Sequence, residues 1–131
     1  MPSIFTKIIN GVIPCHMIAE TSEYLAFLDI HPTAKGHTLA IPKKETDYIF
    51  DLEDELLEGL MVFSKKVAIA LEKTIECKRV GVLVIGTEVP HAHVHLIPFQ
   101  KESQMNISGL KLEFSQEELS EITASIRKNF E

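Results

Sequence analysis

Three histidines at alternate positions are the residues of this sequence whose types and spacing best fit chemistry. They are His91, His93 and His95, and the residues between them are apolar. A strand directs successive side chains to opposite faces. The alternation therefore predicts a strand, His91–Ile97, with a row of imidazoles on one face and an aliphatic stripe toward the core.

A metal site is one chemistry that such a row could serve. Strand rise is about 3.3 Å per residue, which places His91 and His95 roughly 13 Å apart, too far to share one zinc with ligand bonds of about 2.0–2.1 Å. Two neighbouring histidines with His37 and Asp29 remain an alternative ligand set. We nevertheless expect no bound metal and no other cofactor.

Nucleophilic catalysis is the other chemistry. A neutral imidazole attacks phosphorus at pH 7 and forms a phosphohistidine bond that water later hydrolyses. Neighbouring imidazoles can hold phosphate oxygens and supply a proton to the leaving group. The row therefore suits phosphoryl or nucleotidyl transfer without a metal.

Composition limits the class of protein. The chain has 131 residues, of which 45% are apolar and 24% charged, typical of one globular domain spanning residues 1–131. The net charge of −6 argues against a protein that coats nucleic acid or a basic membrane surface. No apolar run has the length of a membrane span or a signal peptide, and Cys15 and Cys77 are isolated. We expect a cytoplasmic protein without nucleic-acid or membrane partners.

Hydrophobic periodicity predicts the elements that position these histidines. Helices are expected where apolar residues recur near the helical period, and strands where β-branched and aromatic residues cluster between turn residues. The helices are a short one capped by Ser3, a core helix Asp54–Ile75, and Gln116–Asn129 behind a Ser115/Glu118 capping box. The strands are His16–Glu20, Tyr24–Ile30, His37–Pro42, a central Arg79–Ile85, and the histidine strand joined to it by a hairpin. This order indicates an α+β fold on a mainly antiparallel sheet.

The run HAHVHLI resembles the signature of the histidine-triad (HIT) superfamily, in its Hint-like branch. Ile4–Pro14, Ala26–Lys44 and the strand before the triad are similar to the same family in the same order. The resemblance covers residues 4–98 and leaves an extension, residues 99–131, outside it. It implies a HIT-like fold with a five-stranded sheet, a purine nucleotide substrate and a homodimer.

The resemblance also implies roles for individual residues. His93 would be the nucleophile that carries the nucleoside monophosphate. His91 and His95 would contact the phosphate and orient the nucleophile. His37 matches the family's fourth histidine, and Asp29 falls where the family binds the ribose hydroxyls. A base pocket is implied for five apolar residues that could equally be ordinary core: Ile4, Phe5, Ile8, Phe27 and Ile30.

The chain departs from the family's pattern just before the triad. The loop there is shortened to Ile85–Val89, Glu88 occupies the hydroxyl position on the leaving-group side, and Thr87 is the nearest hydroxyl. A carboxylate beside a phosphate repels it. Glu45 stands where the family often has a histidine.

We expect a phosphoramidase, a hydrolase that cleaves a nucleoside 5'-phosphoramidate through a nucleotidyl-His93 intermediate. Two alternatives are a dinucleoside polyphosphate hydrolase and a nucleotide-binding module in which the altered loop has weakened catalysis.

Overall fold

The computed structural model describes residues 2–130, so the first and last residues of the predicted domain lie outside the described part. Within it, one five-stranded antiparallel sheet has the strand order β1-β2-β3-β5-β4. This arrangement confirms the predicted α+β fold. In chain order the elements are α1 (Ile4–Ile9), β1 (Met17–Glu20), β2 (Tyr24–Leu28), β3 (Thr38–Pro42), α2 (Asp54–Thr74), β4 (Arg79–Leu83), β5 (Val94–Phe99) and α3 (Gln116–Asn129).

The two faces of the sheet carry separate cores. α2 and α3 cover one face with the larger core, which includes Ala92, Val94 and Leu96 between the histidines. α1 packs on the other face, where Phe5 joins a smaller cluster that includes Phe27 from β2. The rings of His91 and His93 pack against Phe5 of α1, and His95 alternates with Val94 and Leu96 along β5. The three histidines are therefore directed toward the α1 side, opposite the apolar residues between them.

Local signals account for where the helices begin. The Ser3 side chain accepts a hydrogen bond from the backbone of Thr6 at the start of α1. At α3, Ser115 and Glu118 form the reciprocal capping box that the sequence predicts. None of the helices within residues 2–130 combines the length and hydropathy that crossing a bilayer requires.

The predicted histidine strand is wrong at its start. β5 begins only at Val94, so His95 alone of the three histidines lies in a strand. The preceding backbone is bonded elsewhere, since the N–H of Ala92 donates to the Thr46 carbonyl at 2.7 Å. His91 and His93 consequently sit in an irregular segment that side-chain contacts hold in place.

The prediction that Arg79–Ile85 is a central strand covered on both sides is also wrong. β4 pairs only with β5 among the described residues and lies at an edge of the sheet. Val82 is 52% exposed there. The antiparallel pairing of the two strands is as predicted, but an aliphatic run indicates a strand without showing how many neighbours it has.

The chain beyond residue 98 is part of the same packed structure. Leu119, Ile122 and Ile126 of α3 are buried in the larger core, and α3 packs against α2 and β1. Before α3, the N–H of Leu112 donates to the Pro32 carbonyl at 2.7 Å. This bond brings the segment after β5 alongside the loop between β2 and β3.

Candidate active site

A cavity of about 600 Å³ opens on the α1 side of the sheet. It brings together α1, the end of β2, the loop before the triad, and a segment that follows β5. Of the four predicted catalytic histidines, His93 and His95 line it, whereas His91 and His37 do not. All eight predicted nucleotide-binding residues line it: Ile4, Phe5, Ile8, Phe27, Asp29, Ile30, Thr87 and Glu88.

The orientation of His93 follows from a single backbone acceptor. Its Nδ1 lies 2.8 Å from the carbonyl oxygen of His91. A carbonyl can only accept, so in the neutral ring Nδ1 carries the proton and Nε2 keeps its lone pair. The ring of Phe5 packs against it edge to face, with centroids 5.0 Å apart. His93 therefore presents a fixed imidazole with Nε2 as a nucleophile.

A chain of hydrogen bonds also sets the proton on His95. The backbone N–H of Thr33 donates to His37 Nδ1 at 3.1 Å, which leaves the proton of a neutral His37 on Nε2. His37 Nε2 then donates to His95 Nδ1 at 2.9 Å. His95 must carry its own proton on Nε2, a buried atom without a hydrogen-bond partner among the described residues. An N–H donor thus stands unused on a residue that lines the cavity.

Burial keeps both of these rings neutral. Desolvation lowers the pKa of His37 to about 4, against a smaller opposing effect of the Asp29 carboxylate. Desolvation, followed by the nearby His37 ring, also lowers the pKa of His95 to about 4. At neutral pH the pair consequently contributes hydrogen bonds to the site but no positive charge.

Asp29 follows β2 and borders both the histidines and the cavity. Its Oδ1 accepts from the backbone N–H of His31 at 2.8 Å, and its Oδ2 lies 3.6 Å from His37 Nε2. The second distance is too long for a good hydrogen bond. Oδ2 therefore has acceptor capacity left for hydroxyl groups of a ligand.

Asp29, His37 and His95 are also the residues that best fit a metal. Their ligand atoms lie within 4.8 Å of one another, and His37 and Asp29 are the additional ligands that the sequence indicates. His93 does not belong to the set. A metal ion would have to displace the proton that His37 donates to His95, so metal binding and this hydrogen bond exclude each other.

His91 occupies a different position from the one expected of a phosphate ligand. It is fully buried, its Nε2 donates to the carbonyl of Pro42 at 2.7 Å, and its Nδ1 accepts from Ser3 Oγ at 2.9 Å. Both ring nitrogens are therefore occupied away from the cavity. The structure leaves His91 its other predicted role, orienting His93, which it performs through its backbone carbonyl.

Glu45 completes the surroundings of His91, a role that the sequence did not reveal. Its carboxylate accepts from the backbone N–H of Ser3 at 2.6 Å and from the Thr6 hydroxyl. These two bonds, the Ser3 N–H first, lower the pKa of Glu45 to about 2. Glu45 thereby ties the start of α1 to the segment that follows β3. The departure from the family's histidine was the available signal.

The apolar lining settles part of the ambiguity between core and ligand contact. Ile4 and Ile30 are 48% and 54% exposed, so they face the cavity and are not core. Phe5 and Phe27 are buried in the smaller core and border the cavity as well, with ring centroids 5.5 Å apart. Together they offer an apolar surface next to Asp29.

Three lining residues come from the extension: Ile107, Ser108 and Lys111. Sequence reasoning missed them because the resemblance ends at residue 98 and the segment has neither helical nor strand periodicity. The one indirect signal was the capping box behind it, which showed that the chain continues into a packed helix.

Comparisons with known proteins identify the family. The family model for the HIT domain matches residues 10–102. An adenosine 5'-monophosphoramidase of Schizosaccharomyces pombe is 41% identical over 107 residues, covering 78% of this chain and 77% of that protein. A HIT-like protein of Borreliella burgdorferi is 34% identical over 134 residues, covering 96% of each chain.

A solved structure gives the same result for the fold. The crystal structure of a Hit-like protein from Bartonella henselae superposes with a TM-score of 0.86 at 31% identity, covering 98% of this chain and 96% of the other. The chain belongs to the HIT family.

Proposed function

We propose that this protein is a nucleotide hydrolase that cleaves a purine nucleoside 5'-phosphoramidate through a nucleotidyl-His93 intermediate. The observation that carries the proposal is the pair of opposite tautomers at the cavity: a bare Nε2 on His93 and an N–H on His95. His93 Nε2 is a nucleophile, and the His95 N–H is a hydrogen-bond donor for the negative charge that develops on the phosphoryl oxygens. The activity named for the fission-yeast relative supports the same reaction class.

The proposal gives each part of the cavity a role. The Asp29 carboxylate accepts hydrogen bonds from the ribose hydroxyls, and the base lies against the apolar surface that includes Ile4 and Ile30. His93 Nε2 attacks phosphorus, forming an N–P bond as the bond from phosphorus to the leaving nitrogen breaks. The leaving amine takes a proton from water at the open side of the cavity. The hydroxide that remains attacks phosphorus as the bond between His93 Nε2 and phosphorus breaks, which releases the nucleoside monophosphate and returns His93 to its neutral form.

The two histidines accommodate the charges that develop on the His93 ring and on the phosphoryl group. As His93 bonds to phosphorus its ring becomes positive, and the His91 carbonyl stabilises the Nδ1–H at 2.8 Å. His95 Nε2–H donates to a non-bridging phosphoryl oxygen, where the negative charge increases. Neither step requires a metal ion.

Rapid quenching with adenosine 5'-phosphoramidate tests the intermediate. Mass spectrometry of the wild-type protein should show the addition of one adenylyl group, and His93→Ala should show none and lose turnover. His16→Ala, which changes a histidine outside the cavity, is the matched control and should behave as wild type. Full hydrolysis by His93→Ala would overturn the mechanism.

The two alternatives give different results in related assays. A dinucleoside polyphosphate hydrolase would cleave diadenosine polyphosphate far faster than the phosphoramidate. A nucleotide-binding module would bind AMP and form no covalent adenylate.

We also propose that the protein is a homodimer. β4 lies at an edge of the sheet and contacts α2, and both elements carry exposed apolar side chains: Val82 on β4, and Met61, Val62 and Ile69 on α2. An edge strand with this composition favours pairing with another chain. A two-fold axis beside β4 would extend the sheet into a second copy.

A further inference from the structure

The charges around the cavity are unevenly distributed. Asp29 and Glu88 bring two carboxylates, whereas Lys111 is the one lysine or arginine among the described residues that line it. The buried pair His37 and His95 is neutral at pH 7. A nucleotide adds the negative charge of its phosphate to a site whose described lining has two carboxylates and one lysine.

Hydrogen bonds on both sides hold the segment that carries Lys111. On the N-terminal side, the N–H groups of Ser108 and Gly109 donate to the side chain and the carbonyl of Asn106, at 3.1 and 3.0 Å. On the C-terminal side, Leu112 N donates to the Pro32 carbonyl at 2.7 Å. The backbone of Lys111 is thus fixed beside the loop that follows Asp29.

The ammonium group of Lys111 is available to a ligand. No described carboxylate lies within ion-pair distance of it, and the side chain is exposed at the cavity. Its charge reaches the histidines, since it contributes to lowering the pKa of both His37 and His95. Lys111 and His95 line the same cavity.

We propose that Lys111 is the phosphate-binding cation of the cavity and that it restricts the site to nucleotides with a single charged phosphate. The proposal rests on the nucleotide-hydrolase function above and adds its substrate class. His95 would donate to one phosphoryl oxygen and Lys111 would neutralise the group. The additional phosphates of a polyphosphate would find Glu88 and no second cation among the described lining residues.

A comparison of two ligands that differ only in the phosphate isolates this contribution. Wild type, Lys111→Gln, Lys111→Arg and the control Lys35→Gln are titrated calorimetrically with AMP and with adenosine. Lys35 is an exposed lysine in the loop between β2 and β3 and does not line the cavity. Lys111→Gln should weaken AMP binding about 10-fold or more, the effect of losing one charge-assisted contact.

Adenosine should bind equally to all four proteins, and Lys111→Arg should retain most of the AMP affinity. The advantage of AMP over adenosine should decrease with added salt in wild type and much less in Lys111→Gln. An unchanged ratio of AMP to adenosine affinity in Lys111→Gln would overturn the proposal. Diadenosine tetraphosphate binding as tightly as AMP to wild type would contradict the restriction to one phosphate.

Failure of the underlying function gives a different result. A protein in which the quench experiment detects no adenylyl-His93 lacks the proposed reaction, whatever the effect of Lys111. A protein that forms the adenylate equally well with and without the lysine charge, and keeps its AMP affinity, lacks only the proposed role of Lys111.

Discussion

The backbone N–H of Thr33 decides which nitrogen of His95 is protonated, although the hydrogen bonds that link the two residues run through His37. His37 transmits the effect because one of its nitrogens accepts and the other donates. A neutral imidazole has one donor and one acceptor, so fixing one end of the chain fixes the other. The chemistry of His95 is therefore set by a backbone group in the loop between β2 and β3.

Replacing His37 should disturb that chain without touching the nucleophile. His37→Gln should lower kcat about 10-fold to 100-fold, the effect of losing a buried hydrogen bond of about 1–3 kcal/mol. Nitrogen NMR should show His95 as a mixture of tautomers in the variant and as the Nε2–H form in wild type. Lys35→Gln, at an exposed residue of the same loop that does not line the cavity, should leave both measurements unchanged. A single unaltered His95 tautomer in His37→Gln would contradict the relay.

The depressed pKa values of His37 and His95 predict how stability varies with pH. Both are near 4 in the folded protein and near 6.5 when unfolded. Between these values the unfolded chain binds more protons, so the free energy of unfolding should fall as the pH decreases from about 6.5 toward 4. Urea denaturation at pH 7 and pH 4.5 measures the loss, which should be smaller in His37→Gln. An equal loss in both proteins would show that other groups cause it.

Some site residues could be predicted from the sequence, and others could not because their contacts join distant parts of the chain. The resemblance to the HIT family implied that His93, His95 and Asp29 belong to one site, and all three line the cavity. The saturated state of His91 was not predictable, because its partners Ser3 and Pro42 are far from it in the chain. Cavity-lining residues of an irregular segment leave no periodic signal either.

At the scale of elements, α1 acts as a wall of the cavity that Glu45 holds in place. Its carboxylate accepts from Ser3 and Thr6, and Ser3 in turn donates to His91. The same short helix supplies Ile4, Phe5 and Ile8 to the lining. The hydrogen bonds that attach α1 therefore also hold His91 of the triad in position.

Glu45→Gln should loosen this attachment while preserving the shape of the side chain. We expect KM to rise about 2-fold to 10-fold, the effect of weakening one hydrogen-bonded contact, with a smaller change in kcat because His93 keeps its acceptor. Steady-state kinetics with the phosphoramidate measure both constants. Glu23→Gln, a similar change at an exposed residue away from the cavity, is the control. A fall in kcat at constant KM would contradict the wall-like role.

The helices could be predicted because their apolar pattern continues over many residues. The bounds and neighbours of the strands were harder to predict because they depend on which strands pair. The apolar period of α2 and the capping box of α3 are local, and both helices lie where predicted. The start of β5 and the edge position of β4 depend on which strands meet in space. Hydrogen bonds to Thr46 and Val89 replaced the expected ladder at Ala92 and His91.

For the whole molecule, the apolar edge beside β4 predicts how copies associate. Val82→Lys combined with Val62→Lys should convert the proposed homodimer to a monomer, because two charges would face their equivalents across the two-fold axis. Light scattering after gel filtration gives the mass. Val12→Lys, at an exposed position between α1 and β1, should leave the dimer intact. A wild-type mass of one chain would contradict the association.

The arrangement of the cavity also affects how such a protein can diversify. The histidines proposed to perform the chemistry are held by the sheet and by bonds to backbone groups, whereas Ile107, Ser108 and Lys111 come from a segment that contributes no strand to the sheet. Substitutions in that segment can therefore accumulate with little effect on the reactive centre. Exchanging residues 106–112 between relatives should transfer ligand preference and leave the reaction itself unchanged. Ligand selectivity can therefore evolve independently of the reaction.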